Sequence, residues 1–164
     1  MKEFLALQVA NKAGIAFKGL KFMPSRNGQA WNASVYHLGR KVGTVSDAGV
    51  GGAPDIQIPK QLQEAVMKTA QEMDFKQGDF DSATSTLHWF NEFFYAAVVD
   101  ELDWLKKVKS KRKTKTYARF TADPVDTFQI FNATFEPRVK AAILERHPGV
   151  IDYFLNEKIL ELLP

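Results

Sequence analysis

Trp31-Asn32-Ala33-Ser34-Val35-Tyr36-His37-Leu38-Gly39-Arg40-Lys41-Val42-Gly43-Thr44-Val45-Ser46 is the stretch that decides the fold. Trp31, Ala33 and Val35 face one way and Asn32, Ser34 and Tyr36 the other, the period of two expected of a strand with one buried face. Leu38-Gly39-Arg40-Lys41 then reverses the chain into Val42 to Ser46, with Gly39 free to take the positive φ of a tight hairpin turn. An antiparallel hairpin follows.

Working outward, Phe4, Ala6 and Gln8 alternate with Leu5, Leu7 and Val9, which predicts a first strand, and Ile15 to Phe22 predicts a second, punctuated by Gly14 and Gly19. Pro24 to Gly28 is a turn cluster. On the other side, Asp47-Ala48-Gly49-Val50-Gly51-Gly52 ends the hairpin, and Pro59 opens a helix whose stripe is Leu62, Ala65, Val66, Thr69, Ala70 and Met73, stopped by Gly78. A longer helix begins near Ser82 to Ser85, with Leu87, Phe90, Phe94, Ala97, Val98, Glu101, Leu102 and Leu105 on one face. Thr114 to Phe120 reads as a strand, Asp123-Pro124 as a turn, and Thr127 to Asn132 as the returning partner. Pro137 opens a third helix, closed by His147-Pro148-Gly149, and a last helix runs from Val150 to about Leu162.

The predicted order is strands, two helices, a hairpin, two helices. Such segregation is α+β rather than a doubly wound parallel sheet. With 164 residues, 45% of them hydrophobic, the chain suits one domain with a real core, a sub-domain boundary being placed, if anywhere, near residues 110–115. There is no cysteine, which removes disulfides, thiolate catalysis and cysteine-ligated zinc. No apolar run reaches the roughly 20 residues that span a bilayer. The start carries Glu3 and lacks the apolar core of a secretory signal, so the expected location is cytoplasmic.

Charge is where the chain departs from an ordinary α+β protein. Lys106, Lys107, Lys109, Lys111, Arg112, Lys113 and Lys115 fall within ten positions that hold no acid. Without those seven the chain has 15 basic residues against 19 acidic ones, although as a whole it is +3. A local cation cluster on a mildly acidic body suggests a docking surface for phosphates or for acidic protein, because it concentrates field, the plainer reading being a solvated helix end and connector. Each cation can displace a counterion from nucleic acid, with Tyr117 and Arg119 as candidate neighbours on the following strand.

Other constellations are weaker. Asp47, Gly49, Gly51 and Gly52 could shape an anion-binding nest, though the loop matches neither a P-loop nor a dinucleotide fingerprint, and a hairpin exit explains the same letters. His88 and Glu92 share a helical face at metal-ligand spacing without a third ligand, and His37 and His147 lie in other elements. Asp79, Asp81, Asp100, Glu101 and Asp103 assemble into no catalytic set, and no nucleophile elbow is present. Trp89, Phe90, Phe93, Phe94 and Tyr95 crowd more than one face of the long helix, so it is buried on two sides or offers an apolar patch. Trp89 and Trp104, off the inner stripe, are the candidate protein-interface residues.

Two stretches resemble small accessory proteins of tailed bacteriophages. The first is Trp31 through Gly52, in which the Gly39-Arg40-Lys41-Val42-Gly43 turn leads to an Asp-x-Gly-x-Gly-Gly exit, with Ala48 and Val50 where those proteins carry glycine and often histidine. The second is the lysine-rich run with its short hairpin, followed by Pro137-Arg138-Val139-Lys140-Ala141 and a closing helix containing Leu155-Asn156-Glu157. The resemblance implies a viral or prophage origin and a host-facing role such as interference with bacterial defence, of which anti-CRISPR activity is one example.

The function expected is therefore non-enzymatic binding, without cofactor or metal, of nucleic acid or a nucleic-acid-handling protein complex through the basic strip. Two alternatives stay open: a phosphate or nucleotide binder, or enzyme, using the loop at Asp47, and a protein–protein inhibitor using exposed aromatics.

Overall fold

The computed structural model describes residues 4–26, 28–124 and 127–162, and the chain divides into two units, Leu5–Glu101 and, with Phe4, Leu102 onward. Met1 to Glu3, and Asn27 in the turn after Pro24, lie outside the described residues. The class is α+β.

In the first unit the expected hairpin is the middle of a four-stranded antiparallel meander, β1 (Ile15–Ser25), β2 (Gly28–His37), β3 (Arg40–Asp47) and β4 (Asp55–Gln57), in that spatial order. Leu38 and Gly39 both take positive φ, so a two-residue turn joins β2 to β3 with His37 opposite Arg40. Trp31, Ala33 and Val35 are buried on the inner face as the alternation requires. Gly43 is demanded by the close approach of β4, since a Cβ there would lie 1.8 Å from the Gln57 carbonyl oxygen.

The alternation of Phe4 to Val9 misleads, because Leu5–Lys12 is a helix, α1, that buries Ala6, Leu7, Val9 and Ala10. Among the described residues no local side chain caps it. Instead the Glu101 carboxylate accepts hydrogen bonds from the Ala6 and Leu7 amides at 3.2 and 2.8 Å, which satisfies N–H groups that a helix start leaves open. Glu101 comes from α3 (Leu87–Lys111), and this explains an acid on that helix's inner stripe. Helix α2 (Lys60–Glu72) starts after Pro59 as expected but ends at Met73, whose amide bonds back to Thr69 and Ala70. Gly78, at φ 57°, serves a different purpose from stopping it: it turns the short hairpin of β5 (Lys76–Gln77) and β6 (Phe80–Asp81). Past its first turn α3 is buried on two sides, with Phe90, Phe94, Tyr95, Val98 and Val99 inaccessible. The Tyr95 hydroxyl is buried without a hydrogen-bond partner among the described residues, and burial raises its pKa.

The second unit is built on β7 (Thr116–Phe120), flanked by β8 (Gln129–Phe131) and β9 (Ile151–Phe154), all antiparallel. Helix α4 (Pro137–Arg146) has its proline in the first turn, as read. The helix expected from Val150 is instead β9 followed by α5 (Leu155–Leu162). Residues 151–154 satisfy a helical stripe and a two-residue alternation equally well, and pairing with the free side of β7 decides for the strand. Ala118, Ile143 and Phe154 form a core with Phe120, Phe131 and Phe135 against it. The opposite face of β7 meets a second aromatic cluster, in which Trp104 lies 5.5 Å from Phe4, 5.2 Å from Phe128 and 6.2 Å from Tyr117.

Candidate functional site

The basic run begins on the last turns of α3, where Leu102, Leu105 and Val108 are buried and fix the helix on one side. Lys106, Lys107, Lys109 and Lys111 are exposed on the other. At about 100° per residue they fan across roughly 200° of the helix surface in the order Lys109, Lys106, Lys107, Lys111, with Ser110 between the two middle lysines. Ser110 donates to the Lys107 carbonyl at 2.7 Å, so a short side chain folded onto its own helix occupies the crest between basic flanks. Cations at a helix C-terminus are favoured by the helix dipole. Lys107 pairs with Asp103 at 2.5 Å, whereas Lys106, Lys109, Lys111 and Lys113 make no ion pair among the described residues.

Beyond the helix the run is held by its backbone. The Lys111 carbonyl accepts from the Thr114 and Lys115 amides, both at 3.0 Å. The Thr134 hydroxyl donates to the Lys113 carbonyl at 2.9 Å. Asn156, at the start of α5, donates to the Lys115 carbonyl at 2.9 Å and accepts from the Tyr117 amide at 2.7 Å, imitating the pairing of a neighbouring strand. The Thr116 hydroxyl donates to the Ala133 carbonyl at 2.9 Å. These bonds engage the connector's backbone and none of its charged groups, so the connector is a fixed mount. Lys113 is exposed, while Arg112 and Lys115 are half-buried.

Tyr117 and Arg119, expected beside the strip, sit on the covered odd face of β7 at 3% and 7% exposure. Burial raises the Tyr117 pKa, and an Arg119 guanidinium nitrogen donates to the Phe120 carbonyl at 2.5 Å. The strip is thus aliphatic amine and guanidinium without a stacking ring. Thr134 and Asn156, which position it, escaped the sequence reading because nothing local marks a residue that bonds 21 or 41 positions away.

The charge follows the units. Phe4's unit, counted with residues 1–3, has thirteen Lys and Arg against nine Asp and Glu, and residues 5–101 have nine against ten. The basic character of the protein belongs to the unit that carries the strip.

In the glycine-rich loop, the Asp47 carboxylate accepts the Gly49 amide at 2.6 Å and the Ser25 hydroxyl bonds the Gly49 carbonyl. Gly49 is at φ 66°, and a Cβ there would lie 2.7 Å from the Ala30 amide nitrogen. Gly51 and Gly52 are exposed with nothing near. The carboxylate faces the very amide that an anion would need, which is the arrangement of a loop clamped to the end of β1 and the start of β2. Trp104 is half-buried in its aromatic cluster, and Trp89 is 53% exposed. His88 lies edge-on to Trp89, and no group of three or more His, Asp or Glu among the described residues is placed to hold a metal ion. No helix of the described residues is long and apolar enough to cross a membrane.

Comparison with protein-family models, with curated proteins and with solved structures finds no match to this chain.

Proposed function

We propose that this protein acts by binding, without catalysis, and that its target is nucleic acid engaged through phosphate contacts by the C-terminal end of α3 and the connector after it. The observation that carries this reading is the fan of Lys109, Lys106, Lys107 and Lys111 on a fixed backbone. A convex half-cylinder of charge cannot lay all its ammonium groups on one flat acidic protein surface. It matches a concave polyanion, and the major groove of duplex DNA, about 12 Å wide, admits a helix whose two flanks then meet phosphates on both walls. The crest at Ser110 lets the helix approach closely. No aromatic ring is exposed along the strip, which favours a duplex over a stacked single strand. The resemblance to phage accessory proteins extends the proposal: occupying nucleic acid in this way would deny it to a host defence complex, anti-CRISPR activity being one form.

The test is an amide NMR titration with a short DNA duplex. Perturbation centred on residues 106–115 is expected. Perturbation centred on residues 47–52 instead would transfer the anion site to the glycine-rich loop, and no perturbation at low salt would end the proposal.

A further inference from the structure

A second, oppositely charged surface lies in the first unit, where the β5–β6 hairpin and the first turns of α3 border a groove of about 460 Å³. Its wall is an aromatic ladder. Phe80 stacks on Phe93 at 5.0 Å and 24°, and Phe93 stacks on Trp89 at 6.2 Å and 24°. The inner rungs are anchored, since Phe80 is buried and also contacts Phe75 and Phe90. The outer rung is not, because over half of Trp89 is exposed. An indole held flat by the rings beneath it loses little freedom when something lands on it.

The rim is anionic. Asp79 and Asp81 line the groove, and beside it Lys76 bridges Asp81 and Asp74 at 3.2 Å each. Those carboxylates raise the Lys76 pKa, and the Asp81 pKa is lowered by the Ala83 amide it accepts at 2.8 Å and then by Lys76. Asp81 is therefore a structural acid that shapes the hairpin. Asp79, exposed at the turn beside Gly78, makes no ion pair among the described residues and lines the groove with Trp89.

We propose that this groove is a docking site for an arginine side chain presented by a basic peptide segment of a partner protein. A ring face beside a carboxylate selects a cation. Between the two cationic side chains, the planar guanidinium stacks on indole while its N–H fork reaches a carboxylate, and it is less strongly hydrated than an ammonium. The same acids repel nucleic acid, so a nucleobase stacked on Trp89 would bring its phosphates against like charge. The site goes beyond the phosphate-binding reading and stands independently of it, as it shares no residue with the strip.

The probe is an octapeptide of alternating glycine and arginine, titrated into isotope-labelled protein while the Trp89 indole N–H resonance is followed. Saturable movement of that resonance is expected, with affinity, read in the variants from the backbone amides of residues 77–85, reduced about tenfold in Trp89→Ala and several-fold in Asp79→Asn. A peptide carrying citrulline, which keeps the shape of arginine without its charge, should leave the resonance in place. Equal binding of the citrulline peptide, undiminished binding by Trp89→Ala, or a larger response to a short oligonucleotide than to the arginine peptide would overturn the proposal. Because Trp89 is largely outside the core, the variant's spectrum should otherwise superimpose on the parent's.

Discussion

Residues 47–52 and 106–115 both stand out in the sequence and both end up with fixed backbones, yet they offer solvent opposite things. In the loop, the polar groups that could meet an anion are turned on one another, Asp47 carboxylate to Gly49 amide and Gly49 carbonyl to Ser25 hydroxyl. In the basic run, the fastening is done by side chains from elsewhere, Thr134 and Asn156, acting on main-chain carbonyls. The charged groups are then left over. Composition shows which atoms a segment possesses; availability depends on which of them the fold has already used.

The largest expected effect comes from removing the charges themselves. Replacing Lys109, Lys111, Arg112 and Lys113 with glutamine should weaken duplex binding by roughly two orders of magnitude at low salt and reduce the salt slope by about 3. Thermal stability should stay close to the parent's, since Lys109, Lys111 and Lys113 are exposed and Arg112 is outside the buried core. Fluorescence anisotropy with a labelled duplex reads the first effect and calorimetry the second.

Gly49→Ala presses on the other side of the comparison. The substitution forces a left-handed φ on alanine and drives its Cβ toward the Ala30 amide, so it should cost about 2 kcal/mol in denaturant unfolding. Duplex affinity should not change. Loss of affinity in that variant would mean that the two segments are not separable.

Asn156→Ala probes the mount rather than the charges. Two hydrogen bonds to the connector disappear, at a cost of about 2 kcal/mol in stability. Binding should weaken while the salt slope holds, because the number of phosphate contacts is unaltered even as the cations lose their fixed spacing. A changed slope would show that the connector's order determines how many cations reach phosphate.

The smallest effect is expected from Asp103→Asn, which releases Lys107. An exposed helix-face pair of this kind is worth ~0.5 kcal/mol or less to stability. Freed from its carboxylate, Lys107 should tighten duplex binding by about twofold.

What the sequence made legible was whatever is written in adjacent residues. The hairpin at Gly39, the helix starts at Pro59 and Pro137, the strand at Thr116 and the basic run itself are contiguous patterns, and the structure has a corresponding element or surface at each. Helix α1 was hidden because its cap is Glu101, more than ninety positions away, while its own letters alternate like a strand. Strand β9 was hidden because Ile151 to Phe154 fits two periods, and only the open edge of β7 chooses between them. At the site, the cations were visible but the stage that holds them was not. Tyr117 and Arg119 were named as neighbours of the strip from their nearness in sequence, whereas a strand covered on both faces has no outer side.

The most direct test of the central claim is the dependence of duplex affinity on salt for the unmodified protein. With Lys106, Lys109, Lys111 and Lys113 in no ion pair among the described residues, the logarithm of the association constant should fall against the logarithm of salt concentration with a slope between about −3 and −5. A slope near zero, or no measurable association at low ionic strength, would contradict a phosphate-binding role for the strip.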